Sequence, residues 1–397
     1  MDSNRRIKLT ISKKGLQKDL ILIRFVCAYL VMNAINSMVQ VTFGVSGSLF
    51  TIIRWSIYLI LFVMIALGVL TFTKTEIRRF FLLEALVTIV YILSFLINGS
   101  NDALKWLIDS IGIYIPLAFF SMTVEDKELF YRSFLKTSWV LLVISLIYSV
   151  GITGYNMHFS YTILLIILLH LNEAMNGKKW YYIPTAVEII LLLRLGSRGA
   201  IVSIVVFVVI KILANGTGKK KYIQAALVAI FAGLVFWVID RYGIQIYRSI
   251  ANAGRQSRSL YLLFSGQIFS HDSGRIALWE MSIRAIQEKP VLGWGINGAL
   301  SELSGHPYPH QLFLDLMLTF GIPIGLILSC IVLVSAIRSL FKPASVQKEL
   351  MSIFFCIGFV SLMFSGTIFT NYYFFIFLGL IKVFREDERK QLIEDRV

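Results

Sequence analysis

Charged side chains are scarce in this sequence of 397 residues, at 15% of the chain, whereas hydrophobic residues make up 57%. A soluble domain has about a quarter of its residues charged, so this composition excludes an ordinary soluble protein. The apolar residues also form runs long enough to cross a hydrocarbon layer of about 30 Å. The chain is therefore predicted to be an all-α polytopic membrane protein.

Cysteine is scarce as well, with 3 residues in the whole chain. Cys27, Cys330 and Cys356 lie inside apolar runs, where a free thiol behaves as a small hydrophobic side chain. This placement argues against a disulfide framework or a cysteine-ligated metal. The formal net charge of +15 is better explained by basic loops that set membrane orientation than by nucleic acid, so no nucleic-acid partner is expected.

Windows of about 19 residues predict about twelve transmembrane helices. The predicted spans are 20–39, 50–72, 80–97, 103–122, 135–151, 158–173, 180–195, 199–214, 222–240, 311–338, 349–366 and 369–384. The last two belong to one long apolar run, which Gly366, Thr367 and Asn371 interrupt near its middle. That interruption favours two short spans over one long one.

Lysine and arginine are concentrated in every second connection between these spans. This positive-inside pattern predicts a multi-pass protein of the cytoplasmic (inner) membrane with both termini in the cytoplasm. It divides the chain into transmembrane residues 1–240, an extracytoplasmic loop of residues 241–310, and transmembrane residues 311–397. The turn at Ser197 and Arg198 is predicted to lie on the same outer side as the loop.

The segment 241–310 favours arginine over lysine, with Lys289 as its single lysine. Arginine binds phosphate oxygens in pairs, so this bias indicates an anionic, phosphate-bearing ligand. For any single arginine, a contact with a lipid headgroup or a helix end is the plainer alternative. The arginines in question are Arg241, Arg248, Arg255, Arg258, Arg275 and Arg284.

Residues 273–286 have the spacing of an amphipathic helix that begins at Arg275. Such a helix is typical of a segment lying on the outer leaflet, with Trp279 as an interfacial anchor. The apolar face is predicted to consist of Ile276, Trp279, Ile283 and Ile286.

Two further motifs allow more than one interpretation. Gly293, Gly295 and Gly298 match a dinucleotide fingerprint, but they lie in an extracytoplasmic loop, so a tight turn approaching another backbone or a ligand is the better interpretation.

His306 and His310 are four residues apart, yet the prolines between them argue against a helix and a shared metal. His310 directly precedes a predicted span, where a helix dipole disfavours imidazolium. A neutral His310 is a candidate general base, and a helix-capping or interfacial histidine is the alternative.

Short motifs follow one another between residues 195 and 325: Ser197-Arg198-Gly199, Ser273-Gly274-Arg275 with Trp279, Gly293-Trp294-Gly295, His310-Gln311 and Gly321-Ile322-Pro323. Their order and spacing resemble the signature region of the O-antigen polymerase and ligase family. Each motif is weak alone. The ordered set is specific for the family and says little about the member.

The resemblance implies a membrane-embedded glycosyltransferase of the C type (GT-C), with amphipathic helices in its extracytoplasmic loop and no metal or other cofactor. Its substrate would be a polyprenyl-diphosphate-linked oligosaccharide in the lipid bilayer, and a chain-length regulator and a flippase are further partners that the family implies. Arg198 and Arg275 match arginines thought to hold the diphosphate, and His310 matches the candidate base. The secondary candidates are Arg194, Arg258, Arg284 and Tyr308.

Within that family, the preferred prediction is a polymerase that joins lipid-linked repeat units into a surface polysaccharide such as O-antigen or capsule, by inverting transfer. A ligase that moves the glycan to another acceptor, such as lipid A core, needs the same donor site and stays open. A transporter or flippase of lipid-linked sugars is the alternative from another class. It would need polar residues along a path inside the spans.

Overall fold

The structure is a computed structural model that describes residues 13–43, 55–56, 59–60, 63–64, 67, 70–99, 101–151, 157–195, 197–216, 218–252, 274–340 and 345–381. Within these ranges the backbone forms helices and turns and no strand. The side chains of Arg194 and Arg198, all of Arg258 and most of the predicted span 50–72 lie outside the described part. The all-α prediction is confirmed for the residues described.

The helices are numbered here in chain order. They are α1 (Lys13–Phe43), α2 (Lys74–Asn98), α3 (Asn101–Asp109), α4 (Ile115–Thr123), α5 (Lys127–Gly151), α6 (Met157–Met175), α7 (Tyr182–Leu195), α8 (Arg198–Asn215), α9 (Lys220–Asn252), α10 (Arg275–Glu288), α11 (Leu312–Leu340), α12 (Val346–Phe354) and α13 (Tyr372–Ile381). A π-helical turn, Ser110–Tyr114, joins α3 to α4, and Phe355–Phe359 and Val360–Met363 prolong α12.

Among the described residues, 6 segments are long and apolar enough to cross a membrane: Gly15–Gln40, Lys74–Asn98, Trp106–Thr123, Lys127–Ser149, Leu312–Arg338 and Val346–Met363. Each coincides with a predicted span, so the chain is an integral membrane protein. Shorter apolar helices cover further predicted spans at Phe159–Met175, Gly199–Ala214 and Tyr372–Ile381. The total of about twelve spans stays a prediction.

Helix α9 is longer than expected. The predicted span ends at residue 240, but the helix has 33 residues and ends at Asn252. At 1.5 Å per residue it is about 50 Å long, which is more than the hydrocarbon thickness of about 30 Å that a spanning helix must cross. Arg241 and Arg248 therefore lie on a helix and not in a loop. Polarity marks where a span leaves the lipid, whereas backbone hydrogen bonding decides where the helix stops.

Helix α6 is the centre of the bundle. It packs against α1, α5, α7, α8 and α12, and every residue from 162 to 170 is buried. Buried apolar side chains from all these helices form one core around it. This central position holds the first turns of α6, including Tyr161, beside the ends of neighbouring helices.

Helix α11 is interrupted where the loop after α10 meets it. Gly321 has non-helical backbone angles, with φ 78° and ψ 168°, and Pro323 follows inside the helix. Trp294 N–H donates to Leu318 O at 2.8 Å and Gly295 N–H donates to Thr319 O at 3.0 Å. These bonds satisfy carbonyls that the interruption leaves without helical partners. A Cβ on Gly293 would lie 2.5 Å from Gly321 N, which confirms the predicted close approach of two backbones.

The amphipathic helix is confirmed as α10, and its apolar residues differ in burial. Leu278, Ala285 and Ile286 are buried against Leu303 and Leu318 of the following segment. Ile276 and Ile283 are exposed. At 3.6 residues per turn they still share with Trp279 and Ile286 the one face that was predicted, an arc of about 80°. Helical spacing identifies apolar residues on a helix, but it does not tell which of them face protein and which face lipid.

Candidate active site

His310 lies in the turn before α11, with a positive φ of 56°. Its ring is half-buried, and its Nδ1 accepts a hydrogen bond from the backbone N–H of Gly366 at 3.3 Å. The ring of Tyr308 meets it edge-on, with ring centroids 4.7 Å apart. A neutral imidazole whose Nδ1 accepts carries its proton on Nε2. In this arrangement His310 therefore presents an N–H donor to its surroundings.

Burial lowers the pKa of His310 from 6.5 to about 4, and the charges of Arg275 and His306 act in the same direction. The ring is thus neutral near pH 7, as the sequence indicated. The largest physical cause is desolvation of the imidazolium, whereas the sequence predicted neutrality from the helix dipole.

Arg275 begins α10 and is close enough to His310 for its charge to act on the imidazole. Trp279, one turn later, donates from Nε1 to the carbonyl oxygen of Pro309 at 3.1 Å. This bond joins α10 directly to the segment that carries His310. Arg284 is exposed, and it is nine residues beyond Arg275, which places it on about the opposite side of the helix.

The turn at Ser197 places the start of α8 near the same region. Ser197 is buried, and α8 begins at Arg198. A Cβ on Gly199 would lie 2.9 Å from the Tyr161 hydroxyl and 3.0 Å from Phe364 Cβ. The backbone of this turn therefore lies between α6 and the segment that leads to Gly366.

The interruption between α12 and α13 forms one wall of the site. Thr367 donates from Oγ1 to Asp315 Oδ2 at 2.6 Å, and the carboxylate is buried in α11. The backbone N–H of Ile368 binds the same carboxylate. Asp315 thereby holds the turn whose Gly366 N–H reaches His310. This pair was not predicted from the sequence, although an aspartate in an apolar span is a signal of such a contact.

A serine, a histidine and a glutamate also form a hydrogen-bonded chain, but away from this site. Ser138 Oγ is 2.9 Å from His170 Nε2, and His170 Nδ1 is 2.6 Å from Glu188 Oε1. All three side chains have 0% exposure. His170 lies nine residues along α6 from Tyr161, or about 13 Å at the helical rise. The chain therefore links α5, α6 and α7 in the interior and is out of reach of a substrate.

The structure thus brings Arg275, Tyr308 and His310 together, next to the backbone that begins α8. Arg284 lies apart from them on the exposed side of α10. The side chains of Arg194 and Arg198 and all of Arg258 are outside the described residues, so their roles stay predictions.

Comparison with known proteins agrees with these motifs. Residues 183–330 match the family described as O-antigen ligase. The matched segment contains Arg198, Arg275 and His310, and the resemblance inferred from the motifs is confirmed over it.

One curated relative is the ComP-specific O-oligosaccharyltransferase of Acinetobacter baylyi, which is 28% identical over 172 residues. The alignment covers 41% of this chain and 29% of the relative, so the chain matches less than a third of that protein's length. No solved structure matches the chain.

Proposed function

We propose that the protein transfers a glycan from a polyprenyl diphosphate carrier to the hydroxyl of an acceptor, at the outer face of the cytoplasmic membrane. The observation that supports this most is the grouping of Arg275, His310 and the start of α8 within the segment that matches the O-antigen ligase family. A lipid diphosphate is already a good leaving group, and it needs mainly charge stabilisation as the glycosidic bond breaks.

In the proposed reaction, Arg198 and Arg275 hold the diphosphate oxygens. Guanidinium groups can bind them in pairs and neutralise the charge that develops. The acceptor oxygen attacks the anomeric carbon while the bond from that carbon to the diphosphate oxygen breaks. A single direct displacement inverts the configuration at that carbon. The departing diphosphate takes the electron pair of the broken bond.

His310 is proposed to contact the acceptor oxygen. The resemblance implies a general base, which would need a proton-free Nε2. The bond from Gly366 favours the opposite tautomer, in which Nε2–H donates to the acceptor oxygen and orients it. The proton of the acceptor hydroxyl then passes to an oxygen of the departing diphosphate, where negative charge accumulates. Base catalysis by Nε2 of His310 instead requires the hydrogen bond from Gly366 N–H to Nδ1 to break.

The comparisons favour a ligase-type acceptor over a growing repeat unit. The family is described as O-antigen ligase and the relative as an O-oligosaccharyltransferase. We therefore propose transfer of the assembled glycan to a separate acceptor, and polymerisation is the second candidate because it uses the same donor site.

Purified full-length protein supplied with undecaprenyl-diphosphate-linked oligosaccharide tests these assignments. A ligase leaves the donor unchanged until its acceptor is added, whereas a polymerase makes a ladder of products from donor alone. The reaction should proceed without added metal. Movement of intact donor across liposomes, with no glycan leaving its carrier under any condition, would establish a flippase and overturn the proposal.

A further inference from the structure

A cavity of about 60 Å³ lies between α1, α6 and the interruption that separates α12 from α13. We name it the polar pocket and define it by six of the side chains that line it. They are Asn33 of α1, Tyr161 of α6, Tyr308, Thr370 and Asn371 of the turn before α13, and Tyr372 at the start of α13.

The polar pocket adjoins His310 through two of the residues that line it. Tyr308 contacts the imidazole edge-on, and Gly366, which also lines the cavity, donates its N–H to Nδ1. A ligand in the pocket would therefore lie beside the ring that is proposed to act on the acceptor. The pocket and the catalytic group belong to one continuous region.

The chemistry of the lining indicates what kind of ligand fits. Among the described residues that line the pocket there is no lysine, arginine, aspartate or glutamate. A charged ligand would lose its hydration there without gaining a counter-charge, which is strongly unfavourable. Amide, hydroxyl and tyrosine groups instead suit a ligand that carries hydroxyl groups on an apolar ring.

The polar groups are also held in position before any ligand binds. Asn371 Oδ1 accepts from Phe374 N–H at 3.1 Å, which fixes the amide plane and leaves its Nδ2 hydrogens for a ligand. Asn33 Nδ2 donates to the Tyr372 hydroxyl at 3.0 Å. A tyrosine hydroxyl is protonated at neutral pH, and burial raises the pKa of Tyr308 further above its usual value of 10, so the hydroxyl remains a donor. Groups fixed in advance lose less conformational entropy on binding.

The size of the cavity limits the ligand further. A water needs roughly 10–15 Å³ on this scale, so the pocket holds the equivalent of a few waters. That space suits a single ring and excludes a folded oligosaccharide. The rest of a glycan would extend out of the pocket.

We propose that the polar pocket binds one uncharged sugar ring and aligns it with His310. The assignment of that ring to the glycan donor or to the acceptor rests on the proposed function, whereas the binding of an uncharged sugar does not. A hydroxyl-bearing ring could come from either substrate, so the experiment has an arm for each.

The first arm measures binding alone, by saturation-transfer NMR on the full-length protein in detergent. The probes are methyl β-glucoside, N-acetylglucosamine and glucuronate. The test variant is Asn371→Asp, which keeps the oxygen that accepts from Phe374 N–H but replaces the amide donors with a carboxylate. Gln287→Glu makes the matched change at an exposed position of α10.

At least one uncharged probe should bind the unaltered protein, and glucuronate should bind much more weakly. Asn371→Asp should weaken the bound probe's signal roughly fivefold or more, since a ligand hydrogen bond is lost. Gln287→Glu should leave it unchanged. Equal binding of glucuronate and the uncharged probes, binding that Asn371→Asp does not alter, or no binding of any probe would overturn the proposal.

The second arm measures transfer with lipid-linked donor and acceptor. An increased KM for acceptor in Asn371→Asp assigns the sugar ring to the acceptor. An increased KM for donor assigns the ring to the glycan of the donor. If transfer is absent but the NMR result holds, the proposed function fails and the sugar pocket stands. If transfer is normal in Asn371→Asp for both substrates, the pocket proposal fails and the proposed function stands.

Discussion

The two walls of the candidate site differ in charge. One wall belongs to residues 183–330, the segment that matches the family. It carries Arg275, His310 and the start of α8 at Arg198. The adjoining wall, from outside that segment, carries uncharged groups such as Asn33 and Asn371. Every lipid diphosphate donor presents the same anionic leaving group, whereas sugars differ in their hydroxyl groups. The charged wall thus suits the proposed chemistry, and the uncharged wall suits the proposed recognition of a sugar.

The largest expected effect is on the charged wall, at Arg275. Arg275→Ala should lower kcat/KM for transfer by roughly 100- to 1000-fold, as for loss of one group that stabilises developing charge. Arg284→Ala removes the same side chain from the exposed side of α10 and serves as the matched control. Equal losses in both variants would show that any positive charge on α10 has the same effect. That outcome would contradict the placement of Arg275 at the diphosphate.

His310→Ala should reduce transfer by roughly 100-fold if the imidazole contacts the acceptor in the transition state. His310→Gln keeps an N–H donor without a base. We expect it to retain about fivefold more activity than the alanine variant, since a neutral hydrogen bond contributes roughly 1 kcal/mol. Gln and Ala variants with the same residual rate would instead favour His310 as the general base.

The pH dependence of transfer should show the lowered pKa of His310. The neutral ring is the form that accepts from Gly366, and its pKa of about 4 keeps it neutral well below the usual 6.5. Activity should therefore persist through pH 6 and fall only as the pH approaches 4. Arg275→Lys keeps the positive charge and should preserve this fall in activity near pH 4. A fall in activity near pH 6.5 in the unaltered protein would contradict the buried placement of the ring.

A smaller effect is expected at the contact between the two walls. Thr367→Val removes the hydroxyl that binds the buried Asp315 carboxylate and should lower kcat several-fold with little change in KM. Leaving a buried acceptor without this bond costs about 1–3 kcal/mol, so the melting temperature should also fall. Thr367→Ser retains the hydroxyl and should restore both. If Thr367→Val shifts the melting temperature but not kcat or its pH profile, Asp315 is purely structural.

Much of the architecture was predictable because lipid imposes simple rules. Runs of apolar residues must be helical when they cross a membrane, so spans such as 80–97 and 311–338 were found from composition alone. Those rules do not determine where a helix ends, and α9 continues past residue 240 to Asn252. They also do not show which face of a helix packs against protein and which faces outward, because the hydrocarbon and the protein interior are equally apolar. Ile276 and Ile286 therefore looked alike, although one is exposed and the other buried.

Part of the candidate site was predictable from the same sequence, since Arg275 and His310 belong to an ordered set of motifs. The interruption at Gly366, Thr367 and Asn371 was recognised only as a break between two short spans. Its hydrogen bonds to His310 and Asp315 join residues more than fifty positions apart. Local patterns carry no information about such contacts.

Membrane residence, helical class and the polar groups available for chemistry followed from the order of residues alone, because solvation by lipid acts on each segment separately. The neutral state of His310 was also predicted, but its main cause, burial, became visible only in the folded chain. The uncharged wall and its pocket were decided by tertiary structure. They exist because α1, α6 and the turn before α13 pack around one small space, and packing depends on the whole chain at once.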